Sequence, residues 1–387
     1  MKRDTQLTRA GRPHHGTRSV NAPVNRASTI LAGTARELYN RPDGTPLYGR
    51  FGTDSQNALR SAMCEMQAAD YCALAPSGLS AMTLTAIAEV SSGGHLLASD
   101  SLYGPTRMFL TDTVARWGVE VDFYDPRAGA GIADRIKDNT QLIFCESPGS
   151  LTFEVQDIPA ISQAAAKTGA RVMADDTWSA GLNANMLDLG ADYAAQSLTK
   201  YVGGHSDVIM GAVLARGEAA NRLKEAEWRM GFFVSPDDAF LVLRGLRTLD
   251  LRMEKSARNS LEIAQRLADH PAVSTVIHPA RKDHPDHALY ERDFTAPAGV
   301  FGVEFAGWSL ARGERFLDAL DIFGLGFSWG GFESLIVPID TANMRTIRTA
   351  TKWPHTNTCL RIYIGLEDVS DIINDLEKGF ERLKAAS

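Results

Sequence analysis

Between Tyr71 and Ala174, short apolar runs alternate with segments of helical periodicity, and this alternation constrains the fold more than any other feature of the chain. The runs Tyr71–Ala75, Leu96–Ala98, Val119–Tyr124, Leu142–Cys145 and Arg171–Ala174 read as strands. Leu79–Val90, Thr106–Arg116, Ile132–Lys137 and Ile158–Lys167 read as the helices between them. An earlier helix carries Ala58, Leu59, Ala62, Met63 and Met66 behind the capping candidates Thr53, Asp54 and Ser55. Strands that are apolar throughout, separated by helices, argue for a mostly parallel sheet covered on both faces. Ligands of such sheets bind at the carboxyl ends of the strands. Here that directs attention to Ser77-Gly78, Asp175-Asp176 and Ser197 to Lys200.

At 387 residues the chain exceeds one small core and implies two or three packed units. Residues 1 to about 50 are polar and rich in glycine and proline, and read as an extended arm. A long helical region from Pro236 to about Asp269 leads into a smaller carboxyl-terminal unit. In that unit Val273–Ile277, Gly299–Phe305 and Leu360–Ile364 read as strands, and Leu310–Leu320 and Val369–Leu383 as helices. A hydrophobic share of 44% with 22% charged residues is that of an ordinary globular protein, and the net charge of −7 argues against nucleic-acid or anionic-membrane partners. Lys2, Arg3 and Arg9 precede no apolar run, which argues against a signal peptide, and no segment reaches membrane-spanning length. The expected location is the cytoplasm. Cys64, Cys72, Cys145 and Cys359 are irregularly spaced and read as buried reduced thiols, with no zinc site or other metal expected. His284 and His287, among polar residues and Pro285, read as part of a solvated loop.

The segment Ala195-Gln196-Ser197-Leu198-Thr199-Lys200-Tyr201-Val202-Gly203-Gly204-His205 places a lysine directly after an apolar run. Burial disfavours the ammonium form, and a neutral lysine is a nucleophile able to form a Schiff base with an aldehyde. Ser197 and Thr199 are spaced to hold an anion beside it; pyridoxal phosphate combines such an aldehyde with a phosphate. Taken alone the segment fits a solvent-facing loop equally well. The cofactor also needs a carboxylate for its ring nitrogen, a phosphate cradle and a stacking face. Asp175 ends an apolar strand and offers the first, with a turn or cap aspartate as the alternative. Ser77-Gly78-Leu79-Ser80 opens a helix after a strand and offers the second, or only an N-cap. Tyr103, in a loop after a strand, offers the third, or packs as a surface aromatic.

Together these residues resemble the trans-sulfuration enzymes of cysteine and methionine metabolism, a branch of the aspartate-aminotransferase-like class of pyridoxal-phosphate proteins. Within that branch the likeness is greatest to the bacterial cystathionine β-lyases. It runs from about Tyr48 to Phe380 through Tyr48-Gly49-Arg50-Phe51-Gly52-Thr53, Glu146-Ser147-Pro148-Gly149-Ser150, Thr199-Lys200-Tyr201, Gly204-His205-Ser206-Asp207 and Arg244-Gly245-Leu246-Arg247-Thr248-Leu249. It continues through Ser328-Trp329-Gly330-Gly331-Phe332-Glu333-Ser334-Leu335 and Arg361-Ile362-Tyr363-Ile364-Gly365-Leu366-Glu367-Asp368. The resemblance implies an α/β fold of pyridoxal-phosphate fold type I, with a large, mostly parallel seven-stranded sheet domain and a smaller carboxyl-terminal α/β domain. It divides the chain into an arm (1–52) reaching a neighbouring subunit, a cofactor-binding domain (53–245) and a small domain (246–387). It implies that Lys200 carries the cofactor aldehyde, Asp175 pairs with the ring nitrogen and Tyr103 stacks on the ring. Gly78, Leu79, Ser197 and Thr199 then bind the phosphate, with Tyr48 and Arg50 reaching it from the neighbouring subunit; Lys200, Tyr103 and Tyr48 are the catalytic candidates. Arg361 takes the substrate carboxylate, helped by Ser328 and Trp329. A homodimer is the smallest active unit on this reading, and a homotetramer the usual assembly.

The implied reaction is α,β-elimination at a carbon–sulfur bond of L-cystathionine or a related cysteine S-conjugate, giving a thiol (homocysteine), pyruvate and ammonia. Rivals are a cystathionine γ-lyase or γ-synthase on the same scaffold, and a non-catalytic pyridoxal-phosphate-binding regulator. Gly52-Thr53-Asp54 stands where the γ branches carry Asn-Pro-Thr, favouring β chemistry. Asp176 replaces an asparagine of the β-lyases, and Phe240 and Phe327 replace tyrosines, which points to a less polar substrate pocket.

Overall fold

The computed structural model describes residues 2–12, 19–40 and 46–385. Helix α1 (Arg3–Arg9) is followed by irregular chain, then α2 (Asp54–Gln67), β1 (Tyr71–Ala75), α3 (Gly78–Glu89), β2 (His95–Ser99) and α4 (Gly104–Phe109). Next come β3 (Glu120–Tyr124), β4 (Thr140–Glu146), α5 (Ile158–Ala166), β5 (Arg171–Asp175), β6 (Tyr193–Ser197), β7 (Gly211–Ala215) and α6 (Gly217–Met230). The rest comprises α7 (Pro236–Leu246), α8 (Leu249–Ala268), β8 (Val273–Ile277), α9 (His287–Asp293), β9 (Val300–Phe305), α10 (Leu310–Leu317), β10 (Leu335–Ile339), α11 (Thr341–Ile347), β11 (Cys359–Tyr363) and α12 (Val369–Ala385).

Seven strands form one sheet in the order β1-β7-β6-β5-β4-β2-β3, with β7 antiparallel to both neighbours and the remaining pairs parallel. Successive residues of β2 feed opposite cores: Leu97 packs with Leu59, Ile143 and Val172, while Leu96 and Ala98 pack with Leu84, Leu142 and Phe144. A strand buried on both faces must be apolar at every position, which is why these runs lack alternation. A second, antiparallel sheet, β10-β11-β9-β8, buries Phe301, Val303, Ile362 and Ile364 against α8, α10 and α12. This two-sheet architecture is the fold class expected of fold type I.

Several elements depart from the sequence reading. Residues 3–9 form a helix with Leu7 buried and Arg3 bonded to Asp250 and the Leu182 carbonyl, so the first residues dock on the chain instead of extending from it. The helix expected at Thr106–Arg116 is α4 followed by a wide turn over Leu110–Val114 and a tight one over Ala115–Trp117. The one expected at Ile132–Lys137 is reduced to tight turns at Gly129–Arg135. The long helical region breaks between α7 and α8, where Thr248 leaves helical geometry; the break lets Arg252 reach the carbonyls of Tyr201 and Gly245, at 2.6 and 2.8 Å. In the loop expected to be solvated, Lys282, Asp283 and Pro285 are exposed and His287 half-buried, but His284 and Asp286 are buried, Asp286 pairing with Arg127 at 2.7 Å. Cys64 is half-buried, and the other three thiols are buried and free. No helix among the described residues is long and apolar enough to cross a membrane.

Candidate active site

Strands β4, β5 and β6 end side by side, Glu146 in register with Asp175 and Asp175 with Ala195. Their carboxyl ends therefore deliver Glu146, Asp175 and Ser197 to one edge, and the turn after β6 adds Lys200. Thr177 fixes this edge: its N–H and Oγ1 donate to Asp175 at 3.0 and 2.5 Å, and its Oγ1 accepts the Ser197 N–H at 2.9 Å. Opposite β6, Ser77 caps α3 by accepting the Ser80 N–H at 3.0 Å. The N–H groups of Gly78 and Leu79 belong to the first turn, which has no acceptors within the helix, so they point an anion-binding end at the same edge. A Cβ on Gly78 would sit 2.5 Å from Ser197 Cβ; only glycine lets the helix end approach this closely.

Lys200 Nζ donates to Ser328 Oγ at 2.6 Å and lies 5.6 Å from the centre of the Trp329 ring. Burial and the Arg361 guanidinium lower its pKa to about 8, with Asp175 opposing them. Burial raises Asp175 to about 6, although the Thr177 hydrogen bonds and Lys200 pull it down. Glu146 is driven well above the ordinary carboxyl range by burial and by Asp175, and accepts the Tyr103 N–H at 2.6 Å. Tyr103 is itself pushed up by burial and Glu146, with Arg361 pulling against them, so its phenol stays protonated.

Arg361, on β11, comes from the second sheet. Its Nη2 donates to the carbonyl of Ser328 at 2.8 Å, while its buried Nε has no partner. Burial lowers its pKa to about 10. The Ser328 loop is strained, with φ of +87° at a non-glycine residue. Gly330 follows with φ of +87°, and a Cβ there would lie 2.7 Å from the Tyr201 N, so the loop packs directly on the Lys200 backbone.

The fold thus brings Lys200, Asp175, Tyr103, Ser197, Gly78, Leu79, Ser328, Trp329 and Arg361 to one place. The Thr199 hydroxyl is engaged with the Met210 backbone, accepting its N–H at 3.0 Å. Tyr48, exposed, and Arg50, half-buried in the tight helical turn Gly49–Phe51, stand apart: Arg50 donates to the Trp228 carbonyl at 3.2 Å, and Thr29 bridges to Tyr48. Among the described residues, no hydrogen bond or ion pair joins either to Lys200, Asp175 or Arg361. Sequence reasoning passed over Glu146 and Thr177. Glu146 carried the same signal as Asp175, a carboxylate closing an apolar strand.

The donor set fits a phosphate-bearing aldehyde and an amino-acid carboxylate: an amine that loses its proton near pH 8, an anion-seeking helix end and a buried guanidinium nitrogen without an acceptor. Comparison with known proteins agrees. A family described as "Cys/Met metabolism PLP-dependent enzyme" matches residues 4–381. A putative cystathionine beta-lyase of Rhizobium johnstonii is 43% identical, covering 99% of this chain and 96% of its own. Cystathionine beta-lyase MetC of Escherichia coli is 37% identical, covering 99% of each. The crystal structure of cystathionine gamma synthase from Xanthomonas oryzae pv. oryzae superposes with a TM-score of 0.92 at 29% identity, covering 100% of both chains. This chain belongs to the pyridoxal-phosphate-dependent enzymes of cysteine and methionine metabolism.

Proposed function

We propose that this chain is a carbon–sulfur β-lyase, cleaving L-cystathionine or a related cysteine S-conjugate to a thiol, pyruvate and ammonia. The observation that carries the reading is the Lys200 amine, bonded to Ser328 at 2.6 Å and acted on by both Asp175 and Arg361. The β assignment draws on the two beta-lyase relatives, 43% and 37% identical along nearly their whole length.

In this reading Lys200 holds the cofactor aldehyde, Asp175 meets its ring nitrogen and Tyr103 covers its face. Gly78, Leu79, Ser197 and Thr199 hold its phosphate, completed by the partner subunit's Tyr48 and Arg50. When bound, pyridoxal phosphate supplies the electron sink that stabilises negative charge at the substrate Cα. Arg361 orients the substrate carboxylate through a charge-assisted hydrogen bond from its free Nε, with Ser328 and Trp329 beside it. Lys200, released as a neutral amine, removes the Cα proton. The Cβ–S electron pair leaves with sulfur, which takes up a proton as thiol, and water replaces nitrogen to give pyruvate and ammonium. Phe240 and Phe327 favour an apolar sulfur substituent; Phe327 is 87% exposed in the single chain.

The arm (1–52), cofactor domain (53–245) and small domain (246–387) form the proposed division. A homodimer is the smallest active unit, paired into a homotetramer. Exposed Leu31 and Tyr39 on the irregular chain support a covering subunit. Four free cysteines accord with the cytoplasm. A panel of cystathionine, cystine and S-alkylcysteines tests the chemistry: pyruvate with a thiol is expected. 2-Oxobutyrate with cysteine would instead establish the γ-lyase reading, which the gamma synthase scaffold keeps in view.

A further inference from the structure

Three carboxyl groups meet where β4 and β5 end, and the reaction described above uses Asp175 while Glu146 holds Tyr103. Asp176 is left without a task. It is fully buried, and its Oδ2 receives the Gln196 Nε2–H at 3.2 Å while its Oδ1 is bonded to Ser179 Oγ. Ser179 Oγ also lies 3.3 Å from the Ala184 carbonyl. A hydroxyl has one proton to give, and a carbonyl can only accept. Ser179 can serve only one of these two oxygens, and where it donates to Ala184 the proton between Ser179 and Asp176 comes from the acid.

Among the described residues no cation stands beside Asp176 to balance a second anion, although hydrogen bonds from Ser179, Gln196 and the Gly181 N–H favour the charged form. Ser179 and Gly181 face Asp176 from the following turn, and Gln196 faces it from β6. Gln67, at the end of α2, is fully buried beside Gly181 with neither side-chain polar atom bonded. None of these is a cation. The titratable neighbour is Asp175, and the ammonium of Lys200 acts on Asp175. Burial foremost, joined by Asp175, pushes Asp176 well above the ordinary carboxyl range against the pull of those hydrogen bonds.

We propose that Asp176 is a neutral carboxylic acid in the working protein, donating from Oδ1 to Ser179, so that the Asp175–Asp176 pair carries one negative charge, on Asp175. Asp176 is then a positioning residue: it ties the end of β5 to β6 and to the Ser179 turn while leaving the charge at the ring nitrogen undivided. The role for Asp175 rests on the proposed function; the protonation of Asp176 is measurable without it.

Infrared spectra of the holoprotein with carboxyl-labelled aspartate test this directly. A protonated-carboxyl band, present at neutral pH in the unaltered protein and absent in Asp176→Asn, is expected; no such band would overturn the proposal. Cofactor affinity supplies a second readout. Asparagine keeps a donor and an acceptor in place, so Asp176→Asn should bind pyridoxal phosphate within about threefold of the unaltered protein, and Asp176→Ala about tenfold more weakly or worse. Equal weakening of both would mean the charge was needed, and no weakening of either would mean Asp176 positions nothing; each result contradicts the proposal. Should Asp175→Asn leave cofactor affinity unchanged while the infrared band persists, the proposed function fails and the neutral acid stands.

Discussion

Two buried charged clusters flank Tyr103, and they are built on opposite principles. On one side Asp100 accepts from Arg107 at 2.8 Å, from the N–H groups of Thr349, Ala350 and Thr351 at 3.1, 3.0 and 2.8 Å, and from Thr351 Oγ1 at 2.9 Å. Arg348 pairs with Glu154 at 2.8 Å alongside. Burial alone would raise Asp100, yet the bonds from Thr349 and Arg107 hold it below the usual carboxylate range. On the other side Lys200 and Arg361 have only hydroxyl and carbonyl partners, both are lowered by burial, and one guanidinium nitrogen has no partner. The first cluster is closed in charge, each cation set against a carboxylate, although Arg348 Nη1 and Glu154 Oε2 are left without hydrogen-bond partners; it fastens the segment after α11 to the loop that carries Tyr103. The second is open, and its missing partners are those a bound carboxylate and phosphate would bring. A buried cation without a counter-ion weakens the free protein, so its persistence points to a ligand.

Breaking the closed cluster should have the largest effect. Asp100→Ala leaves Arg107 buried without its partner, and thermal or urea unfolding should show a loss of about 3–5 kcal/mol. A change within experimental error would show that the cluster holds little. The open cluster should respond in the reverse sense. Arg361→Met removes an unsatisfied cation, so the melting temperature of the apoprotein should hold or rise, while kcat/KM falls by about 100-fold, on the order of 2–3 kcal/mol. A lower melting temperature with unchanged kinetics would make Arg361 structural.

The smallest effect sharpens the electrostatics. Lys200 reacts as the free amine, and that form accumulates as pH rises through about 8, so the rate at which apoprotein takes up pyridoxal phosphate should climb through that pH. Removing Arg361 takes away a cation that lowers the lysine, so the midpoint should move up; Asp175→Asn takes away the opposing anion, and it should move down. Absorbance followed across a pH series measures all three proteins. A midpoint indifferent to both changes would separate Lys200 from these neighbours.

The same contrast explains how much the sequence discloses. Lys200, Asp175 and Gly78 are legible because each stands at the end of a local pattern, an apolar strand or a capped helix. The strands β1, β2, β4 and β5 are legible because burial leaves a nearly unbroken apolar run, whereas β3, at the sheet edge with Glu120 exposed, shows through the alternation of Val119, Val121 and Phe123 with polar residues. Asp100 is not, because its partners Thr349, Ala350 and Thr351 lie 249, 250 and 251 residues away. The burial of His284 fails for a like reason: Asp286 meets Arg127 from 159 residues off, and a polar, proline-bearing segment looks solvated until that pairing is known. Glu146 was passed over although its local signal matched that of Asp175, since its use lies in a backbone N–H of Tyr103, 43 residues away. Strand β10 is not legible because it bears Pro338 and gains its sheet only by pairing with β11.

The central claim is that the Lys200 amine carries the cofactor. Borohydride reduction of the holoprotein, followed by peptide mapping, tests it most directly. The account predicts the pyridoxyl group on Lys200 and on no other lysine. A label on a different lysine, or none at all from a protein that still forms pyruvate, would contradict it.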